Sequence, residues 1–340
     1  MARFLSWLLL DRDAGRRAAF VSVILIVVQA ALLAAAAASD NALWLPGRDI
    51  GLLEHPGIPT ILVADSVALA LLGFAARRFL RLPGRLPVSD APSSRRLLRR
   101  AVSRGRSVLL LRGRAGALFW FAAGVGTLFW LQNALQTRRA LEFYGHDVFD
   151  SSAHPASYVV FRVVLWGSWA ILYPYVAVAF LGISGTVYRA TATLARRGRL
   201  TYRAFHPDRS GGYATIGDIS FATIMAILAL YTSLAVVIVT HHRLNILQIS
   251  GLAILSVALV LLTFFIAWPV GRFMWRRQRR ERRDNYRRLS RRPDEFAALS
   301  LMWIGSGTSY SPYAKYQVVL INGARLLPVV IAFARVAGAI

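Results

Sequence analysis

Apolar positions in this chain do not alternate with polar ones. They run on, in long blocks separated by basic connections. Six blocks reach the roughly 17–25 residues that a helix needs to cross a bilayer core of about 30 Å. They lie at about 18–39, 59–76, 115–136, 157–185, 218–240 and 249–271. Inside hydrocarbon a single segment satisfies its own backbone only as a helix. The predicted class is therefore all-α: a polytopic integral membrane helical bundle of about six transmembrane helices. The first block is longer than a signal-peptide core, has mixed charges on its flank and shows no typical cleavage site, so it reads as a retained helix.

The connections differ by side. Those at about 40–58, 137–156 and 241–248 are short. The connection 77–114 is longer. It holds the turn clusters LPGRLP and SDAPSS, then SRRLLRRAVSRGRSVLLL, which predicts an amphipathic helix on the membrane surface with arginines snorkelling outward. After the sixth block, RFMWRRQRRERRDNYRRLSRRPDEF (272–296) predicts a basic helical extension, in which Glu281 and Asp284 can pair with arginines a turn away. The tail 317–340 is apolar but interrupted by Arg325, Pro328 and Arg335. Each arginine at a bilayer centre costs about 2.5–3.5 kcal/mol on insertion scales. An interfacial or re-entrant segment is expected there rather than a seventh span. Two regions result: a six-helix transmembrane domain over 1–271, with the Arg-rich inner loop 77–114, and a cytoplasmic basic extension with an apolar C-terminal segment over 272–340.

Composition strengthens this picture. Hydrophobic residues make up 56% of the 340 and charged residues 17%, with a mean hydropathy of +0.49, which excludes an ordinary soluble enzyme and a disordered chain. The absence of cysteine excludes disulfides, thiolate metal sites and cysteine nucleophiles. The net charge of +25 invites a nucleic-acid reading until its distribution is followed. Of the basic residues, 4 lie in 1–17, 12 in 77–115, 6 in 188–217, 12 in 272–315 and 2 in the tail, all on one side of a six-span chain. The other side holds Arg48, Arg138, Arg139 and Arg243, and Arg162 falls within the fourth span. Arginine-rich connections stay cytoplasmic, so both termini are expected inside. The partner implied is a bilayer with anionic headgroups, with no nucleic acid. Arginine almost wholly replaces lysine and alanine abounds, which suggests a GC-rich bacterial genome; the expected location is the bacterial cytoplasmic (inner) membrane.

Three features carry candidate chemistry. The first is polarity within spans: Asp65 in the second, Gln132 and Asn133 near the outer end of the third, and Arg162 in the fourth. Ionisable groups facing lipid are costly, so Asp65 and Arg162, at similar depth, are expected to pair, as a staple or as part of an ion path. The second is an outer set of His146, Asp150, His154, Glu142, His241 and His242, with Glu142, His146 and Asp150 at i, i+4 and i+8. Imidazole and carboxylate ligands suit zinc, copper or nickel, and histidine titrates near pH 6.5, so this set offers a metal or pH site. Ordinary polar outer loops are the leading reading of this set. The third is the inner loop TYRAFHPDRSGGYATIGD, where His206, Pro207, Asp208 and Arg209 precede Gly211 and Gly212. It reads as a structural turn, or as an anion cradle of backbone N–H groups with Arg209. Asp218 is expected to cap the fifth span.

The residues His206, Pro207, Asp208, Arg209, Gly211 and Gly212 resemble the loop of a group of uncharacterised bacterial multi-pass membrane proteins that carry HPD-x-x-GG-L between spans, with Tyr213 here in the leucine position. The resemblance implies a shared polytopic helical fold and no particular activity.

The leading functional expectation is a channel or transporter-like bundle. The alternative is a membrane scaffold or sensor that binds a cytoplasmic protein partner through its arginine-rich loops. A membrane enzyme using His206 and Asp208 ranks lower, because neither G-x-S-x-G nor H-E-x-x-H occurs, and no cofactor is expected. Small residues, Ala122 with Gly126 and Gly182 with Gly185, admit close helix contacts within the bundle or in a homo-oligomer.

Overall fold

The computed structural model describes residues 2–10, 13–45, 51–55, 57–144, 151–202, 210–241, 265–277, 279–280 and 283–284, with backbone alone at 2, 14, 57, 133–144, 234–235 and 237–241. Among the described residues the chain is all-helical. Its elements are α1 (Ala2–Leu9), α2 (Ala14–Ser39), α3 (Gly57–Leu80), α4 (Leu82–Arg85), α5 (Pro92–Leu109), α6 (Arg114–Tyr144), α7 (Pro155–Trp166), a π-helical segment (Gly167–Leu172), α8 (Tyr173–Arg196) and α9 (Ala214–His241). Residues 265–277 are also helical. Five helical segments are long and apolar enough to cross a membrane: Gly15–Ser39, Ile58–Leu80, Pro92–Gln132, Pro155–Arg196 and Ala214–Ser233. In the third, the apolar part belongs to α6, since α5 carries six arginines. These segments match the first five expected spans. Most of the sixth, and the tail 317–340, lie outside the described residues.

The described residues fall into two compact units. The first draws on Met1–Arg77, Ser107–Gly182 and Thr223–Leu259. Its core joins Leu33 and Ala37 of α2, Ile58, Ile61 and Leu62 of α3, Phe161 and Leu165 of α7, and Trp169. Helix α2 turns small residues inward (Ala18, Ala36, Ala37) and leaves Phe20, Val23, Val27 and Leu32 exposed. Small residues let helix backbones approach, and an outward row of large apolar side chains suits hydrocarbon rather than water. Helix α6 follows the same rule, exposing Trp120, Phe121 and Leu128. Its Gly126 lies so close to the Trp169 carbonyl and Ala170 that a Cβ would collide with backbone. Gly182 likewise receives the Val108 side chain, whereas Gly185 faces open space. Helix α1 is tied to α2 by Arg17, which donates to the Trp7 carbonyl at 3.3 Å and sits 5.0 Å from the centre of the Trp7 ring.

Helix α7, the π-helical segment and α8 run as one helical stretch, Pro155–Arg196. Pro174 accounts for the widened middle. It has no N–H for the carbonyl four residues back, and its ring would clash there. The wider register relieves this: the Tyr173 N–H donates to the Ser168 carbonyl, five residues earlier.

The second unit draws on Arg78–Arg106, Ile183–Ala222 and Val260–Ile340. Helix α5 buries Ser94, Leu98, Ala101, Val102 and Gly105, and Gly105 accepts the Phe79 ring where any side chain would overlap it. The helix expected on the membrane surface is therefore also docked on protein. The connection before α5 pairs with the one after α8. Ser89 N–H donates to the Arg199 carbonyl at 2.8 Å and Thr201 N–H to the Pro87 carbonyl at 3.2 Å, around an isolated antiparallel bridge of Val88 and Leu200. The fully buried Tyr213 hydroxyl donates to the Thr201 carbonyl at 2.8 Å, with the Pro87 carbonyl at 3.3 Å. Burial pushes this phenol's pKa upward. Gly211 and Gly212 have φ of +63° and +93°, and the rings of Tyr202 and Pro87 fill the space that a Cβ would need. Residues 265–277 join this unit through Phe265, stacked 4.2 Å from Tyr188, and Phe273, edge-on to Tyr213 at 6.1 Å.

The expectation that Asp218 caps the fifth span is corrected. Helix α9 starts at Ala214, so Asp218 lies in its second turn, where Oδ2 pairs with Arg78 Nε at 3.1 Å.

Removing the hydroxyl in Tyr213→Phe is expected to cost about 1 kcal/mol. Gly212→Ala should cost about 1–3 kcal/mol, because it adds a strained φ to the Pro87 collision. Thermal unfolding of both variants in one detergent checks the order. A Gly212→Ala protein as stable as wild type would refute this account of the turn.

Candidate functional site

The polar group deepest in the first unit is Asp65. It is the ninth residue of α3, about 12 Å along the helix axis from its start, and is fully buried. Ser168, in the π-helical segment, donates a hydrogen bond to Asp65 Oδ2. The side chains of Gln29 on α2 and Tyr173 on α8 lie beside the same carboxyl. Tyr173 in turn donates to Ser233 of α9 at 2.8 Å. Four helical segments thus meet at one carboxyl in apolar surroundings, and Tyr173 links a fifth, α9, to them.

The network is incomplete. Asp65 Oδ1 and Gln29 Oε1 are buried without a hydrogen-bond partner among the described residues, as is the indole N–H of Trp169. Ser168 Oγ also sits 3.1 Å from the Val164 carbonyl. One hydroxyl hydrogen serves one acceptor at a time. A protonated Asp65 supplies a second hydrogen, and both contacts of Ser168 are then made together. The site can thus hold or release a proton by rearranging hydrogen bonds already in place. The π-helical segment makes this geometry: the widened turn brings Ser168 toward α3 while freeing its carbonyl for Tyr173 N–H. Such segments recur at functional positions in helices.

The expected pair between Asp65 and Arg162 does not form. Asp65 takes its bond from Ser168, and Arg162 lies 5.1 Å from the centre of the Tyr158 ring, one turn away. The Arg162 carbonyl accepts from Trp130 Nε1 at 3.0 Å, joining α6 to α7. Depth alone suggested the pairing, but an arginine's long stem reaches an aromatic face on its own helix more readily than a carboxyl on another.

A second carboxylate has a structural role. Asp40 follows α2 and accepts a hydrogen bond from Ser157 N–H at 2.6 Å. It thereby caps the first turn of α7, where His154, in the cap position, makes no side-chain capping bond. Slight burial raises the Asp40 pKa, but the N–H groups of Ser157 and Ala156 and the charge of His154 outweigh it and hold the carboxyl below its ordinary 3.8.

The remaining sequence candidates divide. Asn133 and Glu142 lie on the α6 backbone and His241 ends α9, with their side chains outside the described residues. His146, Asp150 and His242 lie outside them altogether. So do His206, Pro207, Asp208 and Arg209. Among the described residues no three His, Cys, Asp or Glu side chains gather as a metal would require. Gly211 and Gly212 form a turn packed on rings. Ser168, Gln29 and Tyr173 were missed from sequence; Pro174, inside a long apolar block, was the one local signal of a break beside them. The chain matches no protein-family model, no curated protein and no solved structure.

Asp40→Asn keeps an acceptor oxygen but removes the charge, and is expected to destabilise the protein by about 0.3–1 kcal/mol, the worth of a carboxylate near a helix N-terminus, toward the low end because solvent screens it. Folding lowers this pKa, so the contribution is full above about pH 4 and is lost as pH falls through the lowered value. The stability gap between wild type and variant, measured by thermal unfolding across pH, should narrow below about pH 4. A gap unchanged by acid would contradict the assignment.

Proposed function

We propose that this protein is a multi-pass membrane transporter or channel in which Asp65 carries a proton or small cation through the bundle. The observation that carries the reading is the fully buried carboxyl, bonded among the described residues through one oxygen only and seated against a π-helical break. A charge-bearing group inside apolar helices is costly unless its titration is used. Tyr173 and Ser233 extend the polar line away from Asp65 toward α9. Five helices able to cross a membrane, with large apolar side chains facing outward, support the bilayer setting. With the block at 249–271 as a sixth span, the arginine distribution supports both termini in the cytoplasm of a bacterium and residence in its inner membrane.

Purified protein in liposomes loaded with a pH-sensitive dye tests this. Under an imposed pH gradient and potential, wild type should equalise pH faster than empty liposomes. Asp65→Asn should slow it at least tenfold while melting close to wild type, and Asp65→Glu should retain part of the flux. Wild-type liposomes as tight as empty ones, or full flux in Asp65→Asn, would sink the proposal.

A further inference from the structure

We infer that the groove between α5 and α8 in the second unit is a binding site for a molecule carrying two or more phosphate groups. The inference draws on none of the Asp65 residues and is independent of the transport reading.

The groove encloses about 470 Å³. Arg96, Arg100 and Arg104 line it from α5, with Arg189 and Arg197 from the α8 side, and among the described residues no aspartate or glutamate lines it. Its floor is Ala101 and Ala190, both buried, while all five arginines are exposed. The α5 arginines are spaced i, i+4 and i+8, so their Cα atoms span about 12 Å of helix. Arg189 and Arg197 are also eight residues apart. Like charges at i, i+4 repel one another, and among the described residues none of the five makes an ion pair. By contrast, Arg78 pairs with Asp218 and Arg95 with Asp90. An anion with charges spread over the groove would relieve that repulsion. Guanidinium groups grip phosphate oxygens bidentately, and Ser93, Thr186 and Thr193 add hydroxyls. At one end Arg199 donates to Ser93 Oγ, bringing a further cation beside the first turn of α5. One phosphate is too small to engage arginines spread over this length; two or more joined phosphates are not.

That chemistry has two sources, a soluble diphosphate or the headgroup of a two-phosphate lipid. Full-length protein in phosphatidylcholine nanodiscs, titrated with pyrophosphate by calorimetry, tests the first. Nanodiscs containing diphosphatidylglycerol, with bound lipid counted by native mass spectrometry, test the second. At least one probe should bind at one per chain. Pyrophosphate should bind at least tenfold tighter than inorganic phosphate, or diphosphatidylglycerol tighter than phosphatidylglycerol by the same factor. Arg100→Gln/Arg189→Gln should weaken that binding at least tenfold. Arg112→Gln/Arg114→Gln, an equal charge loss outside the groove, should change it less than twofold. Binding of neither probe, equal affinity for one and two phosphates, or equal loss in both double variants would overturn the inference.

Discussion

A carboxyl buried among apolar helices must find its hydrogen bonds within the protein, because lipid offers none. That requirement organises the first unit. Asp65 needs Ser168, and Ser168 reaches it because Pro174 forces the preceding turns into the wider π register. The widened turns bring Trp169 and Ala170 against α6, where only glycine fits, at Gly126. Gln29 and Tyr173 add α2 and α8 to the same carboxyl. Packing and polarity share one arrangement here: the π-helical segment that brings Ser168 to Asp65 also carries Trp169 and Ala170 against Gly126.

The arginines obey a different logic. Most lie in the connections between the apolar blocks, where water or lipid headgroups suit them. A few have defined partners, as Arg17 has Trp7, Arg78 has Asp218 and Arg162 has Tyr158. The five around the α5–α8 groove fit neither description. They are gathered at helical spacing around a small-residue floor, with no acidic group among the described residues to balance them.

Five of the six expected spans were legible, because an unbroken apolar block of sufficient length has one stable form in a bilayer. Helix α5 was legible from its arginine spacing, though not its docking, since the pocket that Gly105 opens for Phe79 depends on residues far apart in sequence. Asp65 stood out as the lone acid of its span. Its partners did not: Ser168, Gln29 and Tyr173 are ordinary residues of apolar helices, and only the helix crossings bring them together. The same gap misdirected the pairing of Arg162 and the capping role given to Asp218. The glycine pair stood out in the loop, yet its purpose, making room for the rings of Pro87 and Tyr202, required knowing which connections meet.

The central claim is that Asp65 exchanges a proton within a hydrogen-bonded hub rather than standing as a fixed charge. Infrared difference spectroscopy of the membrane-reconstituted protein between acid and alkaline pH reads this directly. The account requires a protonated-carboxyl C=O band that disappears in Asp65→Asn and changes frequency in Ser168→Ala. A difference spectrum unaltered by both substitutions would contradict it.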